Sequence, residues 1–167
     1  QPPTAAQAAW TVPEALSDTA AWVMDGQGVI PMPDNTPSAH ASSLVAMPAG
    51  RAAVVSAFWF AGSRESGPDV QIAASQFNRE TQQWTPARLV VNRDEMATQL
   101  GFGVRRLGNP VARVDGQGRV HLFVVAPGLG GWAAARIVHL RQRTALSTLA
   151  HNAFEVLRYL SLSSLWH

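Results

Sequence analysis

One pattern constrains this chain more than any other: a series of four short strand signals, separated by turn residues, that occurs twice. In the first occurrence residues 41–47 are apolar and bounded by turn formers, and Pro48-Ala49-Gly50 supplies a tight turn in which glycine takes positive φ at no steric cost. Residues 51–61 are rich in Val and aromatics, as a buried or half-buried strand requires. A polar loop (62–69) leads into an alternating segment (69–77), a polar turn (78–83) and a fourth segment (84–91) marked as an edge by Pro86. The second occurrence runs through a strand at 109–115, a turn at 116–118 and a strand at 119–126. A Gly-rich loop at 127–131 and strands at 132–140 and 154–160 complete it. Arg51 and Arg119, each just after its turn, are 68 residues apart, and Trp84 and Phe154, which open the two fourth strands, are 70 apart.

A four-stranded antiparallel unit recurring at a fixed spacing predicts an all-β protein built of β-propeller blades. The expected organisation is an N-terminal segment (1–37), a first blade (38–92), a connecting loop (93–108), a second blade (109–160) and the start of a further blade (161–167). Closed propellers need about 4–8 blades. Two blades are therefore an incomplete ring: the chain reads as a fragment, completed by a second chain or left by a truncated gene, or else a domain-swapped or oligomeric assembly of further copies covers the faces left open.

Composition narrows the function classes. At 167 residues and 47% hydrophobic, the chain can bury one ordinary core. Its pI near 10.4 at a formal charge of only +2 arises because all 13 basic residues are arginine. These arginines form no basic run, so no nucleic-acid partner is expected. There is no cysteine, which excludes disulfide frameworks and thiolate catalysis and leaves the compartment open. No apolar run reaches the roughly 18 residues of a membrane span. The start, QPPTAAQAAW, has neither the charged nor the apolar region of a signal peptide. It also suits the mature end of a periplasmic or secreted protein after signal cleavage.

The segments SHASSLVAMPAGR, AFWFAGSRESGPDVQI and RRLGNPVARVDGQGRVHLFVV, with Trp84, resemble the sialidase-like superfamily with BNR (Asp-box) repeats, and within it the neuraminidase-like BNR-repeat proteins. The resemblance covers about residues 38–125 and continues more weakly through 154–166. It implies a sialidase-like propeller acting on glycans, with no cofactor. Departures accompany it. His40-Ala41-Ser42 stands where sialidases carry an Arg-Ile-Pro motif whose arginine grips the substrate carboxylate. The Asp-box is reduced to Ser75-Gln76-Phe77-Asn78, with Trp84 displaced, and the second repeat has no recognisable box. The only tyrosine, Tyr159, lies in an apolar strand rather than where a tyrosine nucleophile would sit.

Catalytic candidates are Asp69, Glu65 and His40. By the resemblance, Asp69 falls where the family carries its acid/base carboxylate, with Glu65 as the neighbouring carboxylate that raises its pKa. His40 is a base or a hydroxyl partner at the blade mouth. Substrate-binding candidates are Arg64, which can hold an anionic sugar bidentately, together with Arg105, Arg106 and Asn109 at the entry to the second blade. Each has a structural alternative: Asp69 as a turn cap, Glu65 as a solvated side chain, Arg64 in an ion pair with Glu65 or Asp69, His40 as a structural histidine, Asn109 as a turn closer. His121 and His139 lie within strands and share no metal-ligand spacing, so no metal site is expected. The aromatics at 58, 59, 60, 84, 123 and 132 are assigned to the core, with Trp132, beside the Gly-rich loop, as the one candidate sugar platform. Two functions follow: glycan cleavage by a carboxylate pair in a completed ring, or a non-catalytic propeller (a truncated relative included) that binds glycan or protein.

Overall fold

The structure, a computed structural model, describes residues 27–145, 149 and 153–161, without the side chains of 132, 133 and 161. The expected turn of helix within 10–24, the Trp132 platform and a further strand in 162–167 lie outside these described residues.

The chain forms two four-stranded antiparallel sheets and one short helix. The first sheet has the order β1 (Ser38–Ala46), β2 (Ala53–Gly62), β3 (Gln71–Asn78) and β4 (Arg88–Val91). After helix α1 (Arg93–Leu100) comes the second sheet, ordered β5 (Gly108–Val114), β6 (Val120–Gly128), β7 (Gly131–Gln142) and β8 (Phe154–Ser161). Each sheet is a simple up-and-down meander, and no strand is shared between them.

The sequence of β2 explains how the sheets stack. Phe58 and Phe60 point to one face with Ile72, Ala74 and Val90, and join Val120, Leu122, Val124, Val138, Leu140 and Phe154 of the second sheet in one core. Ala57, Trp59 and Ala61 point the other way, where Ile30, Met32 and Trp84 cover them. A strand buried on both faces reads as a continuous apolar run, and SAFWFAG does so. In β6 only alternate residues (Val120, Leu122, Val124, Ala126) enter the shared core.

The sheets meet closely at their first strands. β5 lies against β1 and β2, and the Ala112 N–H donates to Ser43 Oγ at 3.1 Å. Farther out, α1 inserts Met96 into the shared core and its Gln99 accepts a hydrogen bond from the Val156 N–H at 2.8 Å. Turn chemistry differs between the two copies. Asp115 accepts from the N–H groups of Gln117 and Arg119 and pairs with the Arg119 side chain at 3.1 Å. Arg51 has no acid in its own turn; it runs beneath Gly118 and donates to the Ala145 carbonyl at 3.1 Å. Gly118 is favoured by its φ of +78°, and a β-carbon there would lie 2.6 Å from the Arg51 guanidinium, which would have to shift.

Three expectations are corrected. The fourth strand begins at Arg88, not Trp84, because Pro86 has no N–H to add to the ladder; Trp84 makes only an isolated bridge to Phe77. The connecting segment 93–108 contains α1, capped by Asn92, whose side chain accepts from the Asp94 and Glu95 N–H groups, and ended by Gly101 in the left-handed region. The loop expected at 127–131 is a tight hairpin, with β6 running to Gly128 and β7 starting at Gly131. Among the described residues no helix is long and apolar enough to cross a membrane.

Candidate functional site

Where β1, the end of β2 and the approach to β5 converge, they leave a cleft of about 310 Å³. From β1 come Ser38, His40 and Ala41. Phe60 and Gly62 come from the end of β2, Arg64, Glu65 and Ser66 from the following loop, and Arg106, Leu107, Gly108 and Asn109 from the segment entering β5. The cleft thus brings together His40, Arg64, Glu65, Arg106 and Asn109, five residues singled out from the sequence.

Local backbone shapes the cleft. Register shifts between His40 and Ser43, and Ala41 sits in this bulge at φ 53°. Bulges re-aim side chains, and here His40 Nε2 meets Ser38 Oγ at 2.6 Å. Ser66 is also left-handed, at φ 55°. Of the four non-glycine residues with positive φ among the described residues, two line this one cleft. Strained backbone of this kind clusters at functional sites.

The lining holds two guanidinium groups and, among the described residues, a single carboxylate. Among the described residues neither Arg64 nor Arg106 has a carboxylate oxygen within 4 Å, so the ion-pair alternative for Arg64 is not realised. Their forked donors are available for an anionic or hydroxyl-rich ligand.

Asp69 and Arg105 lie outside the cleft lining. Asp69 closes its own loop: the Ser63 N–H donates to Oδ2 at 2.9 Å and Ser63 Oγ donates to Oδ1 at 3.0 Å. These bonds, with the positive charge of Arg64, hold its carboxyl below the usual range. A general acid must keep its proton near neutral pH, so the acid role expected for Asp69 runs against its environment. It also borders a different, shallow cleft with Gln71, Asn92, Arg93 and Asp94. Arg105 is exposed, and its backbone spans two neighbours, donating to Pro127 O at 3.0 Å and accepting from Arg93 Nη1 at 3.2 Å.

Sequence reasoning also passed over a hydrogen-bonded chain on the far face of the second sheet. Asp115 Oδ2 meets His121 Nε2 at 2.9 Å, and His121 Nδ1 meets His139 Nε2 at 2.7 Å. The cross-strand register puts both rings on one face, and Phe123 stacks on His139 at 4.5 Å between centroids. His139 Nδ1 is buried with no hydrogen-bond partner among the described residues. Burial, then His121 and the arginines Arg158, Arg113 and Arg141, push the His139 pKa down. Hydrogen bonding from His121 and the Arg119 and Gln117 N–H groups drives the Asp115 carboxyl far down. Among the described residues no group of three or more His, Asp or Glu is arranged to hold a metal ion.

The chain matches a family model described as a BNR repeat-like domain over residues 37–161, the stretch that spans both sheets and every residue of the cleft. No curated protein and no solved structure matches it. The match agrees with the sialidase-like character of the motifs and with two successive antiparallel sheets in place of the recurring sequence unit. This chain belongs to the family of BNR repeat-like domains.

Proposed function

We propose that the two sheets are neighbouring blades of a sialidase-like β-propeller and that the cleft at their inner ends binds a glycan, preferring one that carries a carboxylate. Two observations support the blade reading: the first strands of the sheets touch, while a helix fills the space farther out. Further blades are needed to close such a ring.

The observation that carries the glycan reading is the pair Arg64 and Arg106, both lining one cleft with His40, Glu65 and Asn109 and neither within 4 Å of a carboxylate oxygen among the described residues. Guanidinium forks recognise carboxylates bidentately, and the amide, imidazole and carboxylate provide donors and acceptors for ring hydroxyls. Binding is favoured over cleavage. Asp69, the carboxyl with the expected acid role, is ionised and turned into its own loop, which leaves Glu65 as the single carboxylate of the cleft where hydrolases use two.

Titration with sialyl- and uronic-acid-containing oligosaccharides, followed by calorimetry, tests the proposal. An acidic oligosaccharide binds, and Arg64→Ala and Arg106→Ala each weaken it about tenfold, or about 1.4 kcal/mol. The same mixtures, assayed for released sugar, show no turnover by the parent protein or by Asp69→Asn. Indifference of binding to both arginine substitutions overturns the assignment. Turnover abolished by Glu65→Gln establishes the hydrolase instead.

A further inference from the structure

A second and larger opening, about 780 Å³, lies at the other end of the first sheet, where β3 turns towards β4. Among the described residues its lining holds no charged side chain. Gln27, Gln82 and Gln83 supply amides, and Phe77 and Trp84 supply aromatic rings. This is the reverse of the arginine cleft, and it calls for a different ligand.

The turn that carries these groups is firmly built. Asn78 Oδ1 accepts from the Glu80 N–H at 2.8 Å and the Thr81 N–H at 3.0 Å. The Asn78 carbonyl accepts from the Gln82 N–H at 3.0 Å, and the Asn78 N–H donates to the Gln83 carbonyl at 2.9 Å. Gln82 is a third strained residue, at φ 55°, and its side-chain amide donates to the Arg79 carbonyl at 2.7 Å, which fixes its orientation. Trp84 is held edge-on to Phe77, with ring centroids 5.5 Å apart and planes inclined by 64°. The result is a preformed opening in which fixed aromatic faces adjoin amides able both to donate and to accept.

We propose that this opening is a second binding site, taking an uncharged saccharide whose ring lies against Trp84 while its hydroxyls meet the glutamine amides. A pyranose offers an apolar C–H face to an aromatic ring and hydroxyls of both hydrogen-bonding senses at its edge. An ionic ligand finds no counter-charge among the described lining residues. The proposal is independent of the arginine cleft, since the two share no lining residue.

The test is a nitrogen–proton correlation titration of the whole chain with cellohexaose, maltohexaose, xylohexaose and mannohexaose, observing indole and side-chain amide signals. At least one of the four produces saturable shifts at Trp84 and Gln83 that persist in added sodium chloride. Gln83→Ala weakens that binding about tenfold. Trp84→Phe, which keeps a ring for the core, weakens it several-fold, and Arg106→Ala leaves it unchanged. Gln83 is exposed, so its substitution decides the matter even if Trp84→Phe fails to fold. Absence of shifts with all four sugars, undiminished binding by Gln83→Ala, or shifts confined to the Arg106 cleft overturns the proposal.

Discussion

Ala41 carries more of the candidate site than its side chain suggests. At φ 53° its β-carbon crowds the backbone, at a cost of about 1–2 kcal/mol that the surrounding sheet has to absorb. The bulge it occupies sets His40 against Ser38 at the cleft wall. Ala41→Gly is expected to raise the unfolding free energy by about 1 kcal/mol in urea titrations, because glycine adopts this conformation without strain. The same change loosens the bulge and weakens acidic glycan binding, so stability and affinity move in opposite directions. Lower stability on introducing glycine contradicts the strain assignment. Arg64 and Glu65 became candidates because charged side chains among glycines and a proline mark a loop that can carry chemistry, Arg106 and Asn109 from their place at the entry to the second blade, and His40 from the resemblance alone. Ala41 and Ser66 were invisible, since an ordinary residue in a left-handed conformation leaves no compositional trace. For Asp69 the acid role and the turn-cap role both stood open, because a sequence shows that a carboxylate is present but not that Ser63 will donate to it.

Among the elements, β6, β7 and the turn between β5 and β6 carry a pH dependence. His139 has a folded pKa below its ordinary value of about 6.5, so the unfolded chain binds the proton more readily in that window. Stability is therefore full above about pH 6.5 and falls as pH drops towards the folded pKa. Asp115 acts in the same sense at lower pH: its contribution is present above the ordinary carboxylate range and is lost as pH falls below it. The groups facing His139 are His121, Arg113, Arg141 and Arg158, and Glu155 moderates them through its ion pair with Arg141. Urea melts across pH 5 to 8 check this. His139→Phe, which keeps a ring against Phe123, is expected to flatten the upper part of the profile and leave the acid limb. An unchanged upper limb contradicts the assignment. The cross-strand contact between His121 and His139 could not be read from their spacing of 18 residues, because register is set by the hairpin and not by local sequence. Helix α1 escaped notice because Met96 is its only buried residue, so it has no apolar periodicity, although Asn92 and Gly101 bracket it with ordinary capping signals.

At the scale of the whole molecule, the strands were legible because hydrophobic runs and turn residues recur in the same order, and eight strands in two meanders follow. How the sheets stack was less legible, since it depends on which face of β2 meets β6. Phe58 and Phe60 alternate with Trp59 within a run that is apolar on both sides. The proposed function rests on that stacking, because the cleft exists only where β1 and the entry to β5 lie side by side. One measurement tests this most directly: a nuclear Overhauser contact between the Ala112 amide proton and the β-protons of Ser43 in the native chain. With the amide nitrogen 3.1 Å from Ser43 Oγ, a strong cross-peak is expected, and Ser43→Gly removes it. An Ala112 amide with no contact to β1, or one paired instead to a strand of its own sheet on that side, contradicts the arrangement of the two sheets and the cleft between them.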